Sequence, residues 1–463
     1  MSRRLVAFVV LLAWTGSAPA EEVRPNVVLI VADDLGWADL GCYGSTYHKT
    51  PNLDRLAMQG TRFTHAYAAC PVCSPSRAAM LTGRYPARLH LTDWLPGRAD
   101  RPTQKMIRPI IRQALPLEET TIAEAVAAVG YDTATMGKWH LGGDGFLPEQ
   151  QGFAVNVGGT ATGSPPGGYF RFKTPTLAAR ADDEYLTDRL GEEAAQYIDA
   201  HRDKPFFLYL PHYAVHTPLQ ARAEAIARYK AATPKAGSKQ NNPTYAAMME
   251  SLDDAVGRVL KALDDAKLAD RTVVIFTSDN GGLSVKEGPG TPSTSNAPLR
   301  DGKGYLHEGG IRVPLIVRWP GVTQPGAITQ VPASGQDLFP TVLTLAGTKP
   351  APNATIDGVD LVPVLRGSGT PRREALFWHY PHYSNQGGKP GGAILQGYRK
   401  LIENYEDGRL ELYDVAIDPM EVDDLAADHP EEAARLRDRL AAWRASVDAQ
   451  MPTPNPDYTP PGK

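Results

Sequence analysis

The sequence predicts an α/β fold: a mainly parallel central sheet flanked by helices, with a smaller C-terminal antiparallel sheet plus helix. Two observations carry this. Short β-rich apolar runs alternate with helical patterns over most of the chain, as strand–helix units in a parallel sheet do. Beyond about residue 365 the alternation stops, and two strand-like runs joined by a polar turn lead into a charged helix.

Residues 1–20 are expected to be an export leader. Arg3 and Arg4 precede a short apolar core from Leu5 to Trp14, and Ala18-Pro19-Ala20 offers a small-residue cleavage site, so the mature chain should begin near Glu21. That core is too short to span a bilayer and no other segment approaches the required length, so the protein is expected to be exported, periplasmic or secreted, without a membrane span. Asn26–Ala32 is the first strand. A helix over Thr121–Val129 has Thr121 and Glu124 in capping-box positions and Gly130 as its stop. Asp132–Met136 and Pro205–Leu210 are further strands. A long amphipathic helix from about Tyr245 to Lys267 leads into the strand Arg271–Thr277; Val313–Val317 is another strand, and Leu338–Leu345 is helical. Arg399–Tyr405 and Leu410–Tyr413, joined through Glu406-Asp407-Gly408-Arg409, form a hairpin, and a helix from about Pro430 to Asp448 covers it. The Pro-rich tail beyond Met451 reads as flexible. The expected boundaries are therefore a leader at 1–20, a main site-bearing domain at 21–365, and a C-terminal subdomain with its tail at 366–463.

A formal net charge of −4 with mixed signs argues against a general nucleic-acid or membrane binder, so any handling of anions must use local positive charge. Three cysteines in 463 residues do not make a disulfide scaffold, and whether Cys42 and Cys70 pair is open at this level.

The informative pattern lies at the carboxyl end of each core strand. The first ends in Asp33-Asp34; the strand at 132–136 leads to Gly137-Lys138-Trp139-His140; the one at 205–210 to His212 and His216; the one at 271–277 to Ser278-Asp279-Asn280. In an open α/β sheet, ligands bind beyond the carboxyl ends of the strands, so these groups should meet at one rim. Asp33, Asp34, Asp279 and Asn280 are hard oxygen ligands that suit Ca²⁺ or Mg²⁺ and not zinc or copper.

Cys73-Ser74-Pro75-Ser76-Arg77 opens the run CSPSRAAMLTGR, which ends at Arg84. Pro75 favours the first turn of a helix and Gly83 comes after its apolar run, so the Cys73 side chain should stand at the positive end of a helix dipole. An isolated cysteine there would read as buried and inert. The whole string resembles the signature of the type I sulfatases of the alkaline phosphatase superfamily, in which this cysteine is converted to Cα-formylglycine. The resemblance spans nearly all of the mature chain. It includes Gly137-Lys138-Trp139-His140-Leu141-Gly142, Gly302-Lys303-Gly304 and Glu308 through Pro314, Thr50–Thr64, and Leu412-Tyr413-Asp414 with Asp418-Pro419.

The resemblance implies a sulfuric ester hydrolase matured by a formylglycine-generating enzyme. Asp33, Asp34, Asp279 and Asn280, with the oxidised residue 73, would hold the metal ion, calcium in the first place and magnesium as the alternative. One hydroxyl of the hydrated aldehyde attacks sulfur; deprotonation of the other then expels sulfate. Arg77 holds the diol and the helix start, Lys138 and Lys303 neutralise the sulfate, and His140 is the base for the elimination. His216 or Lys303 protonates the leaving oxygen, a choice the sequence leaves open. His212 supports the site from behind, and Glu308 pairs with Arg312 to shape a loop. One small polar sulfate contact, expected between Gly152 and Ser164, has no assigned residue.

Export and polar extras favour a sulfated carbohydrate as substrate over a small aryl sulfate. His379 and His382, within Phe377–Tyr383, and Trp94 are the subsite candidates, with interdomain packing the equal alternative for the 377–383 strip; His48 and Arg98 are further candidates. Two rival readings are a phosphate or phosphonate monoester hydrolase of the same superfamily and a catalytically silent binder of sulfated glycans. The full set of nucleophile, metal and lysine blocks argues against the second.

Overall fold

The structure is a computed structural model that describes residues 24–232, 234 and 238–460; the expected leader at 1–20 lies outside the described residues. The main domain contributes β1 (Asn26–Ala32), β2 (Thr61–Tyr67), β3 (Met106–Ile107), β4 (Asp132–Met136), β5 (Val155–Val157), β6 (Phe206–Pro211), β7 (Thr272–Ser278), β8 (Arg312–Arg318), β9 (Ala327–Thr329) and β10 (Ala333–Ser334). All but β3 form one sheet in the order β10-β2-β8-β7-β1-β6-β4-β5, with β9 beside β2. β1 runs parallel to both β6 and β7, and β4 parallel to β6. Among the described strands of this sheet only β8 reverses, pairing antiparallel with β7 and β2, so the sheet is mainly parallel, as the sequence predicts.

Every residue of β1 is buried, which explains the unbroken apolar run after Asn26: helices cover both faces. Val28 and Ile30 point to the layer containing the helices Leu186–Ala200 and Pro243–Asp265. Val27, Leu29 and Val31 point to the other layer, with Leu81 of the helix Cys73–Thr82 and Val342 of the helix Leu338–Leu345. The expected helix near 121–129 is shorter, Ile122–Ala127, but its capping box forms between Thr121 and Glu124.

The C-terminal region folds as β11 (Leu376–Tyr380), β12 (Gly391–Gln396), β13 (Arg399–Asn404) and β14 (Leu410–Asp414), an antiparallel sheet in that order. The helix Pro430–Ser446 covers one face through Leu436 and Leu440 on Ile394, Leu401 and Leu412. The other face docks on the main domain: Trp378 packs with Tyr67 and Val72, and its indole donates to Ala68 O at 2.8 Å. A buried charge latch joins the two sheets. Lys400 Nζ lies 2.9 Å from Glu308 Oε1 and 2.8 Å from Glu421 Oε1, and the Glu308 N–H donates to Glu421 Oε2 at 2.7 Å. The expected Glu308–Arg312 pair is present at 3.4 Å, as one arm of this larger cluster.

The tail departs from expectation. β15 (Thr453–Pro454) pairs antiparallel with β3, and the Asn455 N–H donates to Lys105 O at 2.8 Å. Proline cannot donate to a ladder, yet an edge ribbon of two strands tolerates it, so a Pro-rich segment is held here rather than flexible. All three cysteines are unpaired.

Candidate active site

The four strands whose ends carry the chemistry are consecutive in the sheet, β7-β1-β6-β4, and parallel, so their carboxyl ends form one rim. Asp33 and Asp34 come directly after β1, Asp279 and Asn280 after β7, His212 and His216 after β6, and Lys138 after β4 through Gly137. Gly137 has φ +124 and a Cβ there would lie 2.1 Å from Pro211 O, so glycine alone lets the chain turn Lys138 into the rim.

Cys73 is the first residue of a helix, Cys73–Thr82, that is buried along its whole length and stopped by Gly83 at φ +71. Three contacts fix its start. Ser76 Oγ donates to Cys70 O at 2.8 Å, the Leu95 N–H donates to Ser74 Oγ at 3.1 Å, and the Gly304 N–H donates to Pro71 O at 2.8 Å. One turn on, Arg77 is fully buried; its Nε and Nη2 each lie 2.8 Å from Asp279 Oδ2, and its Nη1 donates to Lys138 O at 3.2 Å. Arg77 therefore ties the helix start to two strand ends.

The carboxylates alternate with cations. Lys138 Nζ is 2.6 Å from Asp33 Oδ2, and Lys303 Nζ is 2.8 Å from Asp34 Oδ2. Asn280 Nδ2 donates to Asp34 Oδ1 at 2.8 Å, which turns the amide oxygen away. Asp33 Oδ1 and Asn280 Oδ1 are buried without a hydrogen-bond partner among the described residues, a costly state for two polar oxygens unless something fills it. Burial pushes the Asp33 carboxyl up to about 7; Lys138 pulls against it, while Asp279 and Asp34 add to it. Burial also opposes ionisation of Asp34, but Lys303, His216 and Lys138 outweigh it and hold this carboxyl below its ordinary value. Two orphaned hard oxygens among three crowded carboxylates fit a hard divalent cation such as calcium. Ligand atoms of Asp33, Asp34 and His216 also lie within 4.8 Å of one another. An imidazole is a poor ligand for such an ion, so the oxygens rather than His216 would hold it.

The two histidines are fixed in opposite senses. His140 Nε2 lies 2.6 Å from Leu95 O, which can only accept, so that nitrogen carries the hydrogen and Nδ1 presents a lone pair 3.4 Å from Cys73 Sγ. Burial, with Lys138 next, pulls His140 well below the usual histidine range, so it is neutral. His216 Nδ1 lies 2.7 Å from Thr217 O and so carries its hydrogen there, leaving Nε2 3.7 Å from Asp34 Oδ2. Burial and Lys303 lower His216 to about 3. For Lys303, burial works against the charge, but Asp34 more than offsets it and the ammonium keeps its proton. Burial raises the Cys73 thiol, so unmodified Cys73 is a poor nucleophile.

A cavity of about 500 Å³ opens above this floor of Cys73, His140, His216 and Lys303. Trp94 lines it, as expected, together with Thr162, Ser164, Glu287, Asn385 and Gln386. Thr162 and Ser164 come from the 152–164 segment, for which the sequence names no contact residue, and both reach the cavity wall. His379 and His382 are not brought to the cavity, which corrects the expectation for both. His379 is buried between Tyr405 Oη at 2.8 Å and Gln450 O at 3.0 Å, and His382 is buried with Nε2 2.8 Å from Thr92 Oγ1. Both serve the packing of the C-terminal sheet. His48 is likewise buried against Asp39 O, and Arg98 braces the neighbouring loop by donating to Ser384 O at 2.9 Å. His212 sits behind the rim, its N–H donating to Val31 O at 2.9 Å. Leu95 O, Glu287 and Gln386 carry no sequence signal: one is a backbone atom, and the others lie in loops whose partners are distant in the chain.

A sequence profile of the sulfatase family matches residues 25–348, and one described as N-sulphoglucosamine sulphohydrolase, C-terminal, matches 301–446. Arylsulfatase A of Homo sapiens is 40% identical over 393 residues, covering 78% of this chain and 71% of its own length. A sulfatase of Formosa agariphila is 33% identical over 511 residues, covering 94% of this chain and 91% of its own. Among solved structures, Ps i-CgsB in complex with k-i-k-neocarrahexaose superposes with a TM-score of 0.79 at 30% identity, over 92% of this chain and 94% of that one.

Proposed function

The chain belongs to the sulfatase family of the alkaline phosphatase superfamily, and from that premise we propose that it removes sulfate from a sulfated carbohydrate, using a formylglycine made from Cys73 and a bound calcium ion. As a family member it is a sulfuric ester hydrolase. The observation that carries the finer reading is the His140 imidazole, neutral and with its free lone pair 3.4 Å from Sγ of residue 73, beside a buried floor of carboxylates and lysines.

Asp33, Asp34, Asp279 and Asn280 would hold the ion, which when bound supplies positive charge against the sulfate and orients it. Oxidised and hydrated, residue 73 would supply one hydroxyl to attack sulfur, breaking the bond from sulfur to the alcohol oxygen. Loss of the proton from its second hydroxyl would re-form the aldehyde and expel sulfate. Lys138 and Lys303, both buried at the floor of the cavity, add positive charge around the sulfate oxygens. His140 takes the proton from the second hydroxyl. Lys303 holds a proton at the cavity for the leaving oxygen, whereas His216 turns its N–H to Thr217 O and acts by orienting. The carbohydrate assignment draws support from the k-i-k-neocarrahexaose complex of a similar structure and from the polar wall above the floor. Maturation would require a formylglycine-generating enzyme, and the leader-like first twenty residues support work outside the cytoplasm.

The test is sulfate release from sulfated oligosaccharides by the matured protein. Activity should fall on chelation, return with calcium, and be absent in Cys73→Ala although that variant stays folded. Wild-type turnover by Cys73→Ala would overturn the assignment.

A further inference from the structure

The cavity has one acidic residue on its wall, Glu287, and among the described residues that line it the only lysine or arginine is Lys303, on the floor. Above the floor the wall is otherwise neutral: Trp94, Thr162, Ser164, Asn385 and Gln386. Glu287 belongs to a loop anchored from several sides. Asn242, capping the helix Pro243–Asp265, donates from Nδ2 to Gly290 O at 2.8 Å and to Pro292 O at 3.0 Å. The Glu287 N–H donates to Thr291 Oγ1 at 2.7 Å. The Glu287 side chain is held as well: Gln386 Nε2 donates to its Oε2 at 2.6 Å, and Gln386 O accepts from the Tyr305 hydroxyl at 2.7 Å. Residues from the main domain and from the C-terminal region thus meet at the rim. Gly290, in the same loop, faces Leu219, three residues beyond His216, so the loop lies beside the strand end that carries His216.

We propose that Glu287 is a specificity residue: through Oε1 it accepts a hydrogen bond from a hydroxyl of the sugar that carries the scissile sulfate, and its charge disfavours a sugar bearing a second sulfate or a carboxylate. The favoured substrate is a saccharide whose unit in the cavity carries only the sulfate to be removed. This rests on the carbohydrate reading given above. Among the described residues that line the cavity, a second anion would find no cation besides Lys303, which serves the scissile sulfate, and would face the Glu287 carboxylate. With the rim open to water, two like charges about 5 Å apart differ about fivefold in binding from a neutral pair.

The test uses matured wild type and Glu287→Gln on matched monosulfated and disulfated galactose and glucosamine oligosaccharides, reading the mono-to-di ratio of kcat/KM for each enzyme. Wild type should favour the monosulfated member about fivefold or more at low salt, and lose most of that preference at about 0.5 M NaCl, where the Debye length shrinks. Glu287→Gln should bring the ratio near one, and Glu287→Lys should invert it. An equal ratio in wild type and Glu287→Gln overturns the proposal while leaving the carbohydrate reading intact. Wild type that cleaves a small aryl sulfate but none of the sugars overturns that reading, and the proposal with it.

Discussion

A His140→Ala enzyme should release its first alcohol and then stall. The His140 lone pair points at residue 73 from 3.4 Å, and the other ring nitrogen is committed to Leu95 O at 2.6 Å, so the imidazole is locked in the basic tautomer. In the proposed mechanism its role falls in the second half of the reaction, when sulfate leaves the enzyme. Removing a positioned base costs about 10²–10⁴ in rate, roughly 3–5 kcal/mol of barrier. The truncation also leaves Leu95 O without its donor, about 1–3 kcal/mol of stability, so the assay belongs well below the variant's melting temperature. With a chromogenic sulfate ester, the matured variant should give a burst of about one equivalent of alcohol per site, then a steady state slowed by about 10²–10⁴. A steady state within tenfold of wild type would refute the reasoning. So would an equal loss of burst and steady state in a folded variant, because the histidine would then serve the first step or the architecture.

Two further outcomes concern the C-terminal sheet. Lys400→Met should cost about 3–5 kcal/mol in chemical denaturation, because it leaves Glu308 and Glu421 buried without their shared cation; an unchanged midpoint would contradict the latch. At Glu411, burial opposes ionisation, but hydrogen bonds from His307 and Tyr413 outweigh it and hold the carboxyl at about 2. A folded pKa below the unfolded value stabilises above the ordinary value near 4.5, and that stability is lost as pH falls towards 2. The effect is on the order of 1–2 kcal/mol after solvent screening, and Glu411→Gln should flatten stability against pH across that window.

How far the chain can be read depends on the range of the interactions involved. Asp33-Asp34 and Asp279-Asn280 announce themselves because each directly succeeds a run buried on both faces, and a parallel sheet then gathers such ends. The helix at Cys73 is legible from Pro75 and Gly83, which are local signals. The pairing of Thr453–Pro454 with Met106–Ile107 is not, because its partner lies some 350 residues away and composition speaks only of local stiffness. His379 and His382 mislead for a related reason. An aromatic–imidazole cluster suits a sugar and a packed interface alike, and only the position of Tyr405, Gln450 and Thr92 decides between them. The helix Leu186–Ala200, the strand β2 and the Glu287–Gln386 contact emerge only in the structure, the last because two loops from different parts of the chain create it.

The central claim is that residue 73 works as an oxidised aldehyde and not as a thiol. Mass spectrometry of the peptide containing residue 73, on enzyme purified with its specific activity recorded, tests it most directly. Activity should rise in proportion to the fraction of that peptide carrying formylglycine and vanish when the fraction is zero. Full activity from protein whose residue 73 is wholly unmodified cysteine would contradict the account.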